Sequence, residues 1–336
     1  MKKILILLAF AIAAVSCGNR HASLLPNISG KAGEIIVVMD KNNWEGQLGN
    51  DVRALLGSDC PYLPIREPLY SLVNISPTAL DNLFKVHRNI VYFDIDPQVA
   101  ETKVSYLANR WAAPQALVYI SAPDSRTADS LLNAGASTVV NYIEQAERDR
   151  IISNNLHYEE ISLAQRVQEV FGGSPHFPTG YKLKKSSDDF IWIADEKQYT
   201  MQGVFVYRYP AEGDGSFSLE KIIAHRNETL KANVPGMFEN TYMTTGDIPA
   251  PSVEFLKYKG RDFAQTRGWW EVENDYMAGP FVSHSFYSPD GKDIIVAEAF
   301  VYAPKYDKRQ YLRQVESILY SWEWKKAAED EENAAN

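Results

Sequence analysis

Cysteine is almost missing from this chain: Cys17 and Cys60 are the two among 336 residues. So few cannot build a disulfide framework, and no CxxC pair offers a zinc or redox centre. Positive charge is in deficit, with 34 Lys and Arg against 43 Asp and Glu and a net charge of -9, which excludes a nucleic-acid surface. Histidine is scarce too. The six (His21, His87, His157, His176, His225 and His284) include no two at ligand spacing on one helix. HExxH, GxSxG and P-loop motifs are missing as well. Together these absences leave no metal or cofactor to expect and favour binding or scaffolding over catalysis. No regular repeat is evident. Apolar residues, in contrast, make up 45% and aromatic residues 12% of the chain, enough for packed cores. At this length, two domains of ordinary size are expected.

The N-terminus carries the clearest signal. Met1-Lys2-Lys3 is a basic start, and Ile4 to Val15 is an apolar run of 12 residues, too short to span a bilayer as a helix. It ends in Ala14-Val15-Ser16-Cys17. The segment resembles a bacterial lipoprotein signal peptide with its lipobox, which implies removal of residues 1–16 and acylation, including palmitate, at Cys17. Ala14 stands where most lipoboxes carry leucine. With Cys17 acylated, Cys60 has no partner and reads as a buried, inert thiol.

Residues 17–32 are polar and irregular, a lipidated tether. No acidic run follows Cys17, which favours the periplasmic side of the outer membrane. In residues 33–172, strands at 34–39, 69–75, 89–95 and 115–121 alternate with helices at 47–56, 77–84, 98–111 and 124–154, which predicts an α/β sandwich-like domain. The cluster from Gly172 to Gly180 punctuates the chain. In residues 173–325, strands at 181–185, 190–195, 204–209 and 252–259 lead into three more over 267–302. Helices at 218–233 and 307–324 complete an antiparallel-sheet domain with packed helices. The whole is α+β. Residues 326–336 form an acidic tail expected to fray.

The three-strand stretch holds the candidate site. Ser288-Pro289-Asp290-Gly291-Lys292 is a strong turn. Closing the hairpin at Ser288 and Lys292 sets His284 opposite Val296 and Val282 opposite Glu298, which predicts His284 and Glu298 as diagonal neighbours on one apolar face. Such a pair fits a buried structural contact or, if it lines a wet cleft, a hydrolase. On the strand 268–276, Trp269, Glu271, Glu273 and Asp275 share a face on which an indole and carboxylates could meet a sugar or a cation; a solvated sheet face is the plain alternative. Asp94 and Asp96, at the end of a strand, form another acid pair, or a helix cap.

Arg267-Gly268-Trp269-Trp270-Glu271-Val272-Glu273-Asn274-Asp275-Tyr276-Met277-Ala278-Gly279-Pro280-Phe281-Val282 resembles the family catalogued as domain of unknown function 4837. Phe300-Val301-Tyr302-Ala303-Pro304-Lys305 and Ile318-Leu319-Tyr320 do the same. So do Gly33–Val38, Leu63-Pro64 and Glu67-Pro68, although Ile65-Arg66 stand where a glutamine ahead of Glu67 is expected. The resemblance implies envelope lipoproteins of the Bacteroidota and no activity. The expected partners are a membrane, through the lipid anchor, and an envelope glycan or protein.

Overall fold

The computed structural model describes residues 24–213 and 215–325; Cys17, the signal segment and the acidic tail lie outside them. Two large sheets with separate cores and one two-stranded sheet make up the described residues, and the fold is α+β.

In the first half come β1 (Glu34–Val38), α1 (Lys41–Glu45), α2 (Gln47–Leu56), β2 (Ser71–Ile75), α3 (Asn82–Lys85), β3 (Asn89–Ile95), β4 (Lys103–Ala108), β5 (Ala116–Ala122), α4 (Ser125–Ala134) and α5 (Ala136–His157). The strand order is β2-β1-β3-β5-β4, parallel except for β4. The unbroken apolar runs of β1, β3 and β5 take the middle of the sheet, where both faces are covered. Val37, Val91, Val118 and Ile120 pack under Val52, Leu132 and Val139 from the helices. Residues 26–30, expected to be free tether, are docked: Ala113 N donates to Pro26 O at 2.9 Å and Ser29 N to Val86 O at 2.8 Å.

Three helix expectations change here, the first being the helix over 77–84, which is a single 3-10 turn at Pro77–Ala79 followed by the short α3. Residues 98–111 contain no helix; β4 pairs antiparallel with β5, and Val104 and Tyr106 reach the core from alternate positions. Without β4, the edge of β5 would be open. The helix expected over 124–154 is two helices, because Gly135 interrupts it; Asp124 caps the first by accepting from Thr127 N at 2.8 Å.

The second half comprises α6 (Ile161–Phe171), β6 (Gly173–Ser174), β7 (Lys182–Ser186), β8 (Phe190–Lys197), β9 (Thr200–Pro210), α7 (Leu219–Asn233), β10 (Met243–Gly246), β11 (Ser252–Tyr258), β12 (Arg261–Val272), β13 (Ala278–Tyr287), β14 (Asp293–Tyr302), α8 (Arg309–Tyr320) and β15 (Glu323–Trp324). Its main sheet runs β10-β12-β13-β14-β9-β8-β7, with β11 also on β12. Helices cover both faces: α8 and α6 one, α7 the other. Leu163, Val167 and Phe171 of α6 belong to this core, so the change of core falls before Ile161, one helix ahead of the glycine-proline cluster. The closing helix stops at Tyr320, four residues short of the expected Trp324, and β15 pairs with β6.

Helix α8 also joins the halves. Burial raises the Glu144 carboxyl, but Arg313 and the Tyr70 hydroxyl outweigh it and hold the group below its ordinary value. Both oxygens of Glu67 accept backbone N–H groups at the start of the helix, from Lys308 at 2.8 Å and Arg309 at 2.7 Å. This caps a helix whose first N–H groups have no partner of their own. Glu67-Pro68, noted for its family resemblance, is therefore a clasp between the halves.

The hairpin β13–β14 turns where expected but closes one residue later. Ser288 N donates to Asp293 O at 2.9 Å, and Tyr287 faces Ile294. A one-residue slip sends one strand's side chains to the other face. His284 faces Ala297, and Glu298 faces Ser283.

Candidate functional site

His284 and Glu298 therefore do not meet: they lie on opposite faces of the sheet. This corrects the expected pair and removes the hydrolase built on it. His284 sits beneath α8, its ring centroid 4.1 Å from that of Phe263 and 4.6 Å from that of Tyr320. Gln265 is fully engaged: its amide donates to His284 Nε2 at 3.2 Å and to the Tyr320 hydroxyl at 3.0 Å, while its oxygen accepts from Arg267 Nε at 3.0 Å. Accepting at Nε2 puts the proton of a neutral imidazole on Nδ1, which has no partner among the described residues. Burial, with Arg261, Arg267 and Arg148 nearby, pushes His284 well below its ordinary value. It is a neutral core imidazole.

On the other face, Glu298 meets Arg226 of α7, and both side chains are 0% exposed. The guanidinium also lies 3.9 Å from the centre of the Phe281 ring and donates to Thr245 Oγ1 at 2.7 Å. This is a closed structural pair with no room for substrate.

The carboxylate face on β12 changes as well. Trp269 and Glu271 lie on the strand, but Glu273, Asn274 and Asp275 form the turn to β13, with Asn274 at φ 61 and Asp275 N donating to Val272 O at 3.0 Å. Glu273 therefore does not continue the strand face. No group of three His, Cys, Asp or Glu placed to hold a metal occurs among the described residues. Asp94 accepts from the Tyr119 hydroxyl at 2.8 Å, and Asp96 accepts from Gln98 N at 2.8 Å, which occupies both acids locally. Cys60 is free, and burial pushes its thiol up to about 11, as expected of an inert group.

The structure instead assembles a cleft of about 670 Å³ from three walls and a further residue, His176. Ile152 and Leu156 of α5 form one wall. Tyr258, Lys259, Gly260 and Arg261, at the tight β11–β12 turn, form the second, and residues 320–324 the third. Lys259 and Gly260 both adopt positive φ, 47° and 82°, which brings the two strands back on themselves within two residues.

Aromatic rings dominate the lining. Tyr258 and Tyr320 meet edge to face at 4.9 Å, and Trp322 and Trp324 at 5.5 Å. Arg261 donates to the end of α8 through Leu319 O at 3.1 Å and Trp322 O at 3.4 Å, where a helix C-terminus favours a cation. It has no carboxylate within 4.0 Å among the described residues, and burial pushes it down to about 10. Its Nε and the Trp322 Nε1 are buried and unpaired among those residues. His176 is oriented by Glu159 Oε1, 2.7 Å from Nδ1. Ser321 is already committed, donating to Ile318 O at 2.6 Å and accepting from His176 N at 2.9 Å. The cleft thus offers flat rings and a cation without an activated nucleophile, a set suited to holding a molecule. None of Trp269, Glu271, Glu273, His284 or Glu298 lines it. The signal that marks it is the aromatic density of Tyr320-Ser-Trp-Glu-Trp324, which sequence reading folds into the closing helix.

Residues 160–321 match the model of a family described as domain of unknown function 4837, and over them the chain resembles that family. Residues 28–156 match a second model, domain of unknown function 8532. Gly33–Val38, Leu63-Pro64 and Glu67-Pro68 lie under this second match and not the first. No curated protein matches the chain. Among solved structures, the Ran-binding protein Mog1p of Saccharomyces cerevisiae has 11% identity and a TM-score of 0.30, covering 46% of this chain and 90% of that one. A structure from Bacteroides thetaiotaomicron VPI-5482 has 14% identity and a TM-score of 0.26, covering 46% of each chain. These likenesses are too low to carry a fold or a function across.

Proposed function

We propose that this chain, with its C-terminal half resembling the domain of unknown function 4837 family, is a lipid-anchored binding protein of the cell envelope. In this reading Cys17 is acylated and holds the protein at the outer membrane, facing the periplasm. The basic start, the short apolar run and Ser16-Cys17 support the anchor. Among the described residues no helix is long and apolar enough to cross a membrane.

The observation that carries the binding role is the cleft. Its volume of about 670 Å³ falls within the roughly 300–1,000 Å³ of small-molecule sites. Aromatic rings set edge to face beside the Arg261 cation suit the face and oxygens of a sugar ring or a short peptide.

One experiment tests both parts. Wild-type protein from envelope extract, examined by native mass spectrometry, should carry a bound small molecule. Leu156→Trp, which fills the cleft from its rim, should lose it. Cys17→Ser should move the protein to the soluble fraction and end palmitate incorporation. Palmitate labelling that persists in Cys17→Ser overturns the anchor, and an empty wild-type cleft overturns the binding role.

A further inference from the structure

Strand β12 runs over 12 residues from the cleft at Arg261 to a second surface at Val272, roughly 36 Å away at strand rise. Two loops meet there. Residues 234–242 join α7 to β10, and residues 273–277 join β12 to β13. They are linked by Glu273 N donating to Tyr242 O at 2.9 Å and by Asn274 Nδ2 donating to Asn240 O at 3.4 Å. The longer loop is tightly folded: Gly236 N donates to Thr241 O at 2.8 Å, and a Cβ at Gly236 would stand 2.3 Å from Thr241 Oγ1.

These loops expose what a water-facing turn ordinarily hides. Met237 is 80% and Phe238 67% exposed, and Tyr276 projects fully into solvent. A lone exposed apolar residue is ordinary; three on two linked loops make a patch. The patch continues into an apolar cavity of about 210 Å³, lined by Met201, Met237, Met243, Met277, Trp192 and Trp270 among others. That is smaller than the roughly 300–1,000 Å³ of small-molecule sites, and it suits a single inserted side chain. Methionine linings adapt to varied partners.

Charge selects among the possible occupants. Glu239, Glu273 and Asp275 lie on the two loops that carry the patch, and none has a cation within 4.0 Å among the described residues. Lys231, nearby, lies over the Tyr242 ring at 4.9 Å. Three uncompensated carboxylates repel an anionic bilayer and a second acidic copy of this chain, and they attract a basic partner.

We infer that this tip docks a basic, apolar segment of another protein, with one aliphatic or aromatic side chain in the methionine-lined cavity and Lys or Arg side chains on the acidic rim. The reading is independent of the cleft.

The test uses the full chain with a fluorescent amphipathic peptide of leucine and lysine, its leucine and glutamate counterpart, and phosphatidylethanolamine–phosphatidylglycerol vesicles. The lysine peptide should bind, more weakly as salt rises, and the glutamate peptide should not. Phe238→Ser and Met237→Ser, both on exposed positions, should each weaken binding by about tenfold, as loss of an anchoring contact does. Glu239→Lys combined with Glu273→Lys should reverse the charge preference. Phe255→Ser, an exposed position on β11, should change nothing. Binding that ignores Phe238→Ser and the charge reversal overturns the inference. Vesicle binding without peptide binding assigns the patch to a membrane and overturns it. A dimer in sedimentation that Phe238→Ser abolishes assigns it to a second copy, with the same result.

Discussion

Arg226 grips Glu298 with two of its nitrogens, Nε at 3.1 and 3.0 Å from the two carboxylate oxygens and Nη2 at 2.8 Å from the first. The pair sits between α7 and the sheet, among Tyr207, Phe281 and Phe300. Burial pushes the Glu298 carboxyl up despite the pull of Arg226, so desolvation outweighs attraction. Removing one partner leaves the other charge stranded, at a cost of about 3–5 kcal/mol. Glu298→Ala should lose that much in chemical denaturation. The double variant Arg226→Leu/Glu298→Leu should lose less than either single change, because no charge is left buried.

Glu67→Ala should cost about 1–2 kcal/mol, the scale of a lost helix cap together with its favourable charge. It strips the acceptor from Lys308 N and Arg309 N at once. The midpoint of urea unfolding should fall with the slope unchanged, the mark of lost stability without a change in exposed surface. An unaltered midpoint would rule the clasp out as a stabilising element.

His284 predicts a pH dependence. Its folded-state value lies well below the ordinary one, so below about pH 6.5 the unfolded chain binds this proton while the folded chain does not. Stability is therefore full above that pH and declines as pH falls through it, by up to about 1.4 kcal/mol per unit from this residue. Denaturation midpoints between pH 7 and 5 should fall in the wild type. In His284→Gln, which cannot titrate, this part of the slope should vanish; an identical slope refutes the assignment.

Much of the architecture is legible in the residues. Ile35–Val38 and Ile90–Phe93 are unbroken apolar runs, and they occupy the middle of a helix-covered sheet. Ser218 and Asp124 start helices as their chemistry directs. The hairpin register is harder. Pro289, Asp290 and Gly291 dictate where the chain reverses, but Ser288 can close against Lys292 or Asp293 with the same turn residues. That single position decides whether Glu298 meets His284 or Arg226. Residues 98–111 mislead differently: β4 owes its form to the open edge of β5, a tertiary cause invisible locally. The cleft is illegible for a third reason. Its walls come from residues 152–156, 258–261 and 320–324, and no spacing within one element records that they meet.

The clasp at Glu67 has a consequence for manufacture. A chain emerging N-terminus first presents Glu67, Tyr70 and Glu144 long before Lys308, Arg309 and Arg313 exist; Glu67 waits for a partner 241 positions downstream. The first sheet can form early, but its flank stays unfinished until α8 has left the ribosome. A premature stop ahead of Lys308 would thus be felt in the half of the molecule that was synthesised first.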